Sequence, residues 1–526
     1  MTEKLLPGID IPEEFNIASH LIDRHIKEGR GKKIAVYFED RAMTYQDIYE
    51  LTNKTGNAIK SLGVRREERV MLFLPDCPEF IASFLGAIKI GAIPVPINTV
   101  MTPKDYEYYL NDSRAQAIVV SDDLLPKIEE IKKKNLKYLK HVIVVGKSSG
   151  GVLSYQDLIE SASSKLKAEE TNKDDAAFWL YSSGTTGKPK GVVHLQHDVV
   201  YCAELYARQV IEMSEDDRVF SVSRLFFAAG LGAAFTFPFC IGASTILYPQ
   251  RPLPENVFEI IHKYKPSILF GVPTSYNAML QIEGAEKKYN LDSLRTCLSA
   301  GEALPNTIFM LWKKKFGIEI LDGIGSTEVL HIFCSNRSGQ VQPGSSGKPV
   351  PGYELKIVDD EGREVSQGEI GLLMVKGESS FAYYWNKHQK TKETIIGEWV
   401  NTGDRYYQDS EGYYWYMGRG DDMLKVGGIW VSPTEIENTM YEHPAVLEAA
   451  VVGTEDRDHL VKPEAFIVLR PEYSSSKELA LEIQNFVKSE IAPYKYPRWI
   501  RFIPELPKTA TGKIQRFKLR HDVSKT

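Results

Sequence analysis

Cysteine is scarce in this 526-residue chain: Cys77, Cys202, Cys240, Cys297 and Cys334 are the only five, widely spaced and without a Cys-x-x-Cys pair. An odd, scattered set excludes a disulfide framework or a cysteine zinc site and leaves reduced thiols in a cytoplasm as the expectation. A strong charge of either sign is also missing. The formal net charge is −6, and the basic stretch from Lys127 to Lys140 is interleaved with acids and apolar residues, so nucleic acid is not an expected partner. Such a run reads as the solvated face of a helix. Between Met1 and Asn16 no basic segment precedes an apolar stretch, so no secretory signal is expected. From Leu225 to Tyr248 there is no charged residue, yet Gly230, Gly232, Pro238 and Gly242 interrupt the stretch. A buried helix, turn and strand is therefore expected there rather than membrane insertion.

What is present is core-building capacity. Hydrophobic residues make up 43% and charged residues 25%, the balance of a globular protein, and the length exceeds what one core usually holds. Apolar runs rich in Val and Ile (Val70–Leu74, Ala117–Val120, His141–Val145, Ser267–Phe270, Thr296–Ser299) alternate with helical stretches, the pattern of buried parallel strands. After about residue 350, short alternating segments punctuated by glycine indicate antiparallel β structure. Beyond Gly418-Arg-Gly-Asp-Asp422, strands are expected at Ala449–Val452, Ala465–Leu469 and near Ile500, with a helix at Lys477–Ser489. The fold class is thus α/β: a large N-terminal domain of parallel-type sheets with helices and a small β-rich part, residues 1–419, and a small α+β C-terminal domain, 420–526.

The densest cluster of unusual residues is Ser182-Ser-Gly-Thr-Thr-Gly-Lys-Pro-Lys-Gly191, directly after the apolar run Ala177–Tyr181. Glycines let backbone N–H groups approach an anion, hydroxyls add donors and lysines add charge, a combination suited to a polyphosphate. It is not a Walker A loop, because Ser182 stands where that pattern needs glycine and Pro189 where it needs Ser or Thr. No Gly-x-Gly-x-x-Gly occurs either; Gly323–Glu328 and Gly230–Phe235 both fail at the last position.

The loop resembles the phosphate-binding signature of the adenylate-forming superfamily of acyl-CoA synthetases, luciferases and peptide-synthetase adenylation domains. Further segments resemble that family's elements in the family's order: Gly301-Glu-Ala303, Gly325-Ser-Thr-Glu328, Thr402-Gly-Asp404, Gly418–Asp422 and Pro507-Lys-Thr-Ala-Thr-Gly-Lys513. The resemblance implies an ATP-dependent acid–CoA ligase working through an acyl-adenylate, with ATP, Mg2+ and coenzyme A as reaction partners. By the same resemblance ATP would meet Ser182, Ser183, Gly184, Thr185, Thr186, Gly187, Lys188 and Lys190, its adenine Gly301, Glu302 and Ala303, and its AMP part also Asp322 and Gly323. Asp404 and Arg419 would take the ribose. Thr327 would donate to the α-phosphate, Glu328 would hold Mg2+, and Lys513 would bring positive charge to the reacting carboxylate. Taken outside the family context, Asp404 in its Thr-Gly-Asp segment reads as a turn former. The small domain would rotate about Asp421 between two half-reactions. Gly427 and Gly428 would line the pantetheine channel, and Tyr494, Lys495 and Arg498 would meet the CoA nucleotide.

Within the family the chain is most similar to aryl-CoA ligases of the benzoate type, through Leu321–Ile332, Lys348–Tyr353 and Lys508–Lys518. That likeness implies an acyl pocket of Ala229, Phe237, Ala300, Gly325, His331 and Ile332, although Phe237, Ile332 and His331 also read as plain core. Benzoate ligases typically carry Tyr at the place of Ala229, so a thicker alicyclic ring is expected to fit as well as, or instead of, benzoate. A stand-alone adenylation enzyme serving a carrier protein, or a short- to medium-chain acyl-CoA synthetase, is the alternative. The implied partners are small molecules, and the chain is expected to act as a monomer or homodimer.

Overall fold

The Val- and Ile-rich runs become the buried strands of two parallel sheets in the computed structural model, which describes residues 9–132, 136–147, 151–182, 188–420, 422–426, 429–457, 460–492, 495–508 and 514–523. In one sheet Ile93–Pro96, Arg69–Phe73, Ala117–Ser121, His141–Val145 and Leu153–Ser154 lie side by side, all parallel. In the other, Ile320–Gly325, Thr296–Ser299, Ile268–Gly271, Arg218–Ser221, Ser244–Leu247 and Ile34–Phe38 run parallel in that order. Antiparallel strands close both of its edges, Ile332–Ser335 and Lys348–Pro349 at one and Arg41–Thr44 at the other. Ala117-Ile-Val-Val-Ser121 is buried at every position. Helices cover both faces of a parallel sheet, which is why these strands show no apolar–polar alternation.

The helix Pro78–Lys89 is buried at every residue but Glu79. It opens with proline, whose missing N–H would have had no helical partner at that end. Its last residue, Lys89, is fully buried, and an ammonium there needs partners; it donates to Asp23 at 2.7 Å and Asn53 at 2.5 Å. The uncharged stretch folds as expected into helical turns, Ala228–Leu231, Gly232–Thr236 and Phe237–Ile241, followed by the strand Ser244–Leu247. No helix among the described residues is long and apolar enough to cross a membrane. The basic stretch is less passive than its composition suggests, because Lys127 donates to the carbonyls of Thr99 and Met101 at 2.9 and 3.2 Å.

Past residue 350 the expected antiparallel sheet forms from Glu354–Val358, Gly371–Lys376, Trp399–Gln408 and Tyr414–Arg419. The C-terminal strands, Val446–Glu455 and Val461–Leu469, run beyond their apolar centres, because their polar ends still pair in register. Helices Pro433–Tyr441 and Arg516–Val523, absent from the sequence reading, pack with Lys477–Glu490 around this sheet. Two hydrophobic clusters here draw only on residues from Leu424 onward. The chain is α/β, with a large sheet-and-helix part and a smaller α+β part at its C-terminal end.

Candidate active site

The glycine-rich segment joins two antiparallel strands, Ala176–Ser182 and Lys190–Leu195, with Ser182 opposite Lys190. A Walker loop leads from a strand into a helix, so this hairpin is not one. Ser183, Gly184, Thr185, Thr186 and Gly187 lie outside the described residues. At the stems, Ser182 Oγ and Tyr384 OH both donate to Glu328 Oε1, at 3.2 and 2.7 Å. The Lys190 ammonium sits 4.2 Å from the centre of the Tyr384 ring. Burial pulls its pKa below the ordinary lysine range while Glu328 works against that shift. Three expected residues and one unexpected one, Tyr384, therefore meet.

Glu328 rides on one turn of 3-10 helix, Thr327–Val329, capped by Ser326 Oγ, which accepts from Val329 N at 3.2 Å. All three of its carbonyls are held from outside. Thr327 O lies 2.8 Å from His194 Nε2, Glu328 O accepts from Phe381 N at 2.7 Å, and Val329 O from Ser379 Oγ at 2.9 Å. Leu330 then adopts φ 67°, a region leucine rarely occupies, and these bonds offset its strain. His194 is itself fully buried, with Nδ1 2.7 Å from Asp198. Burial pushes the Asp198 carboxyl up, but hydrogen bonds from His194 and His197 hold it below the usual range. The sequence reading missed this pair; the available signal was a histidine four residues after Lys190, hence on the same face of the strand.

Glu328 suits Mg2+ as a donor, because that ion binds through one or two carboxylates plus waters and phosphate oxygens. Among the described residues no group of three His, Cys, Asp or Glu stands ready to hold a metal alone. The residues expected at the AMP part gather at the carboxyl ends of the parallel strands, where open α/β sheets bind ligands. Ser299 pairs with Asp322, and Gly301, at φ 93°, turns the chain out of the sheet toward half-buried Glu302 and Ala303. Gly323 follows Asp322 within its strand. The Asp322 side chain is buried, and burial pushes its carboxyl up to about 8 although the backbone N–H of Leu304 donates to Oδ2 at 3.4 Å.

Asp404 and Arg419 face each other across paired strands, with the guanidinium donating to Asp404 Oδ1 at 3.0 Å and to Thr402 O at 3.1 Å. Thr402-Gly-Asp404 is not a turn. It is a bulge in the long strand Trp399–Gln408, where the pairing with Gly371–Lys376 shifts register, and bulges re-aim side chains at sites.

The residues expected around the acid also converge. His331 Nε2 donates to the carbonyl of Ala229 at 3.2 Å, and its ring lies 4.4, 5.7 and 5.8 Å from those of Phe237, Tyr206 and Phe270. Burial lowers its pKa to about 4, so the ring is neutral near pH 7. A Cβ on Gly232 would come within 2.2 Å of the His331 ring, and one on Gly325 within 2.5 Å of the His331 carbonyl oxygen; both glycines make room for His331. Ala300 and Ile332 are buried in the same core, and Ala229 is half-buried against it.

Lys513, Asp421, Gly427, Gly428 and Tyr494 lie outside the described residues. The stems of the Lys513 segment are joined by a bridge between Lys508 and Ile514 and by Gln515 N donating to Pro507 O at 2.8 Å. Arg516, close behind, makes a forked contact with Glu437 at 2.8 and 2.9 Å. Of the residues expected at CoA, Lys495 is ion-paired to Glu435 at 2.6 Å, and the Arg498 guanidinium lies 3.7 Å from the centre of the Tyr496 ring.

The family profile described as AMP-binding enzyme matches residues 22–385, and that of the AMP-binding enzyme C-terminal domain matches 435–513. Over 517 residues the chain is 50% identical to a benzoate–CoA ligase of Thauera aromatica, covering 98% of this chain and 97% of that one. A solved structure of the anthranilate CoA ligase AuaEII with anthranoyl-AMP superposes with a TM-score of 0.94 at 46% identity, covering 98% of each chain. A benzoate CoA ligase from Burkholderia xenovorans LB400 superposes with a TM-score of 0.90 at 44% identity, covering 96% of this chain and 100% of that one.

Proposed function

Because the chain belongs to the AMP-binding enzyme family and is an AMP-forming acid–CoA ligase, we propose that its acid is a benzoate-like ring carboxylate and that it also accepts an alicyclic ring such as cyclohexane- or cyclohexenecarboxylate. The carrying observation is the setting of Ala229: its carbonyl accepts from neutral His331, and that imidazole is in turn flanked by the rings of Phe237, Phe270 and Tyr206. Such walls suit an uncharged ring, since a second charge there would be buried without a partner. A methyl at this position leaves room for ring thickness. A panel of benzoate, 2-aminobenzoate, cyclohexanecarboxylate, cyclohexenecarboxylate and short alkenoates, read as CoA-dependent AMP release, tests this. Short alkenoates turned over faster than every ring acid would overturn it.

In the first half-reaction the carboxylate attacks the α-phosphorus of ATP and pyrophosphate leaves. In the second, the CoA thiol attacks the acyl carbon and AMP leaves. Both partners of the first step are anions, so donors and positive charge must meet them. In this reading Ser182, Lys188, Lys190 and the loop between them bind the phosphates, and Thr327 donates to the α-phosphate. Mg2+, held at Glu328, would neutralise phosphate charge. Gly301, Glu302 and Ala303 border the adenine and Asp322 and Gly323 the AMP part, while Asp404, oriented by Arg419, accepts from the ribose hydroxyls. Lys513 brings its ammonium to the carboxylate and α-phosphate. That same space must later admit a thiol past Gly427 and Gly428. Residues 420–526 therefore form a mobile domain turning on Asp421 against 1–419, a reading supported by the separate cores from Leu424 onward. The five cysteines are buried and unpaired, in keeping with a reducing cytoplasm, and a monomer or homodimer suffices for a site built within one chain.

A further inference from the structure

The hairpin that carries the glycine-rich loop is gripped at both stems by one helix outside the site. The helix Pro103–Ser113 begins with proline behind a Thr102–Asp105 capping box. Four residues apart, Tyr108 and Asp112 share one of its faces. Asp112 Oδ2 accepts from Tyr181 OH at 2.8 Å, on the strand entering the loop. Tyr108 OH donates to Pro189 O at 2.8 Å, on the segment leaving it. Proline has no N–H, so this carbonyl is the only backbone hydrogen-bonding group Pro189 offers. The Tyr108 ring also lies 5.0 Å from the ammonium of exposed Lys188, within cation–π range. Trp385 strengthens the frame: its indole N–H donates to Asp112 O and its backbone N–H to Gly191 O, both at 2.8 Å.

We infer that Tyr108, seconded by Asp112, is a positioning residue for ATP: it sets the exit stem of the glycine-rich loop at Pro189 and the direction of Lys188, so that this cation is pre-arranged for the phosphates. This rests on the reading that the loop takes the ATP phosphates. A tyrosine whose only role was packing would need neither a carbonyl partner at the loop stem nor an ammonium over its face. Holding both ends of a short loop lowers the ordering cost that ligand binding must otherwise meet. The consequence falls on ATP and on the first half-reaction; the acid pocket and the thiol step do not depend on this brace.

Tyr108→Phe removes the hydroxyl and keeps the ring, whereas Tyr108→Leu removes both. Each is compared with wild type in acid-dependent ATP–pyrophosphate exchange at varied ATP, and separately in thioester formation from synthetic benzoyl-adenylate and CoA. The expected result is a KM for ATP raised roughly tenfold in Tyr108→Leu and severalfold in Tyr108→Phe, with the KM for acid and the thioester step within about twofold of wild type, since neither site touches the brace. An unchanged KM for ATP in both variants, or equal losses in both half-reactions, would overturn the inference. Wild-type protein that supports no exchange with any acid would instead overturn the underlying functional reading.

Discussion

His194 Nε2 lies 2.8 Å from the carbonyl oxygen of Thr327, while Nδ1 of the same buried ring lies 2.7 Å from Asp198. The pair ties the strand leaving the glycine-rich loop to the turn that presents Thr327 and Glu328. Two segments remote in sequence thereby take one geometry relative to each other. Losing the imidazole leaves the Thr327 carbonyl and the Asp198 carboxylate without that donor, a defect worth about 1–3 kcal/mol.

His194→Ala should accordingly lower kcat for ATP–pyrophosphate exchange about ten- to a hundredfold. His194→Gln, which keeps one donor, should recover part of that loss. A variant with wild-type exchange kinetics would show that the turn needs no such tie.

Lys513→Ala should reduce exchange by at least about a hundredfold, the usual scale for removing a group that stabilises developing charge. Thioester formation from preformed acyl-adenylate should be largely spared. Normal exchange in the variant would refute the role of this lysine.

Ala229→Tyr should restore a flat wall to the acid pocket. The ratio of kcat/KM for benzoate over cyclohexanecarboxylate should then rise about tenfold, within the 1–3 kcal/mol that steric discrimination in an apolar pocket can supply. A ratio that does not move would place the ring elsewhere.

Asp322 should make stability depend on pH. An unfolded aspartate loses its proton near about 3.9, whereas this buried carboxyl keeps it up to about 8. The folded state therefore holds the extra proton between these values. The group's contribution to stability is complete below about 4 and is lost as the pH climbs through about 8. Thermal unfolding followed from about pH 5 to 8 should show the Tm of wild type minus that of Asp322→Asn falling as pH rises; a constant or rising difference would contradict the buried, protonated state.

Much of the architecture was readable from local pattern. Ala117-Ile-Val-Val-Ser121 and its counterparts announce buried parallel strands because both faces of such strands are apolar. The helix Arg516–Val523 gave no such notice, since half of its residues are charged and its place is held by the fork between Arg516 and Glu437, a contact made across the fold. The C-terminal strands were read short because their ends are polar, and the bulge at Thr402–Asp404 looked like a turn because a glycine at φ 73° occurs in both.

The reaction class was carried by short contiguous segments, from Ser182–Gly191 to Pro507–Lys513. The chemistry of phosphate and carboxylate activation needs particular groups on neighbouring backbone atoms, and these survive as words in a linear text. The supports did not. Tyr384 beneath Glu328, His194 beneath Thr327 and Tyr108 beneath Pro189 are separated from their partners by 56, 133 and 81 residues. Each is one ordinary side chain whose meaning depends on what lies 3 Å away. Hydrogen bonds act over that distance in space and carry no mark of it along the chain.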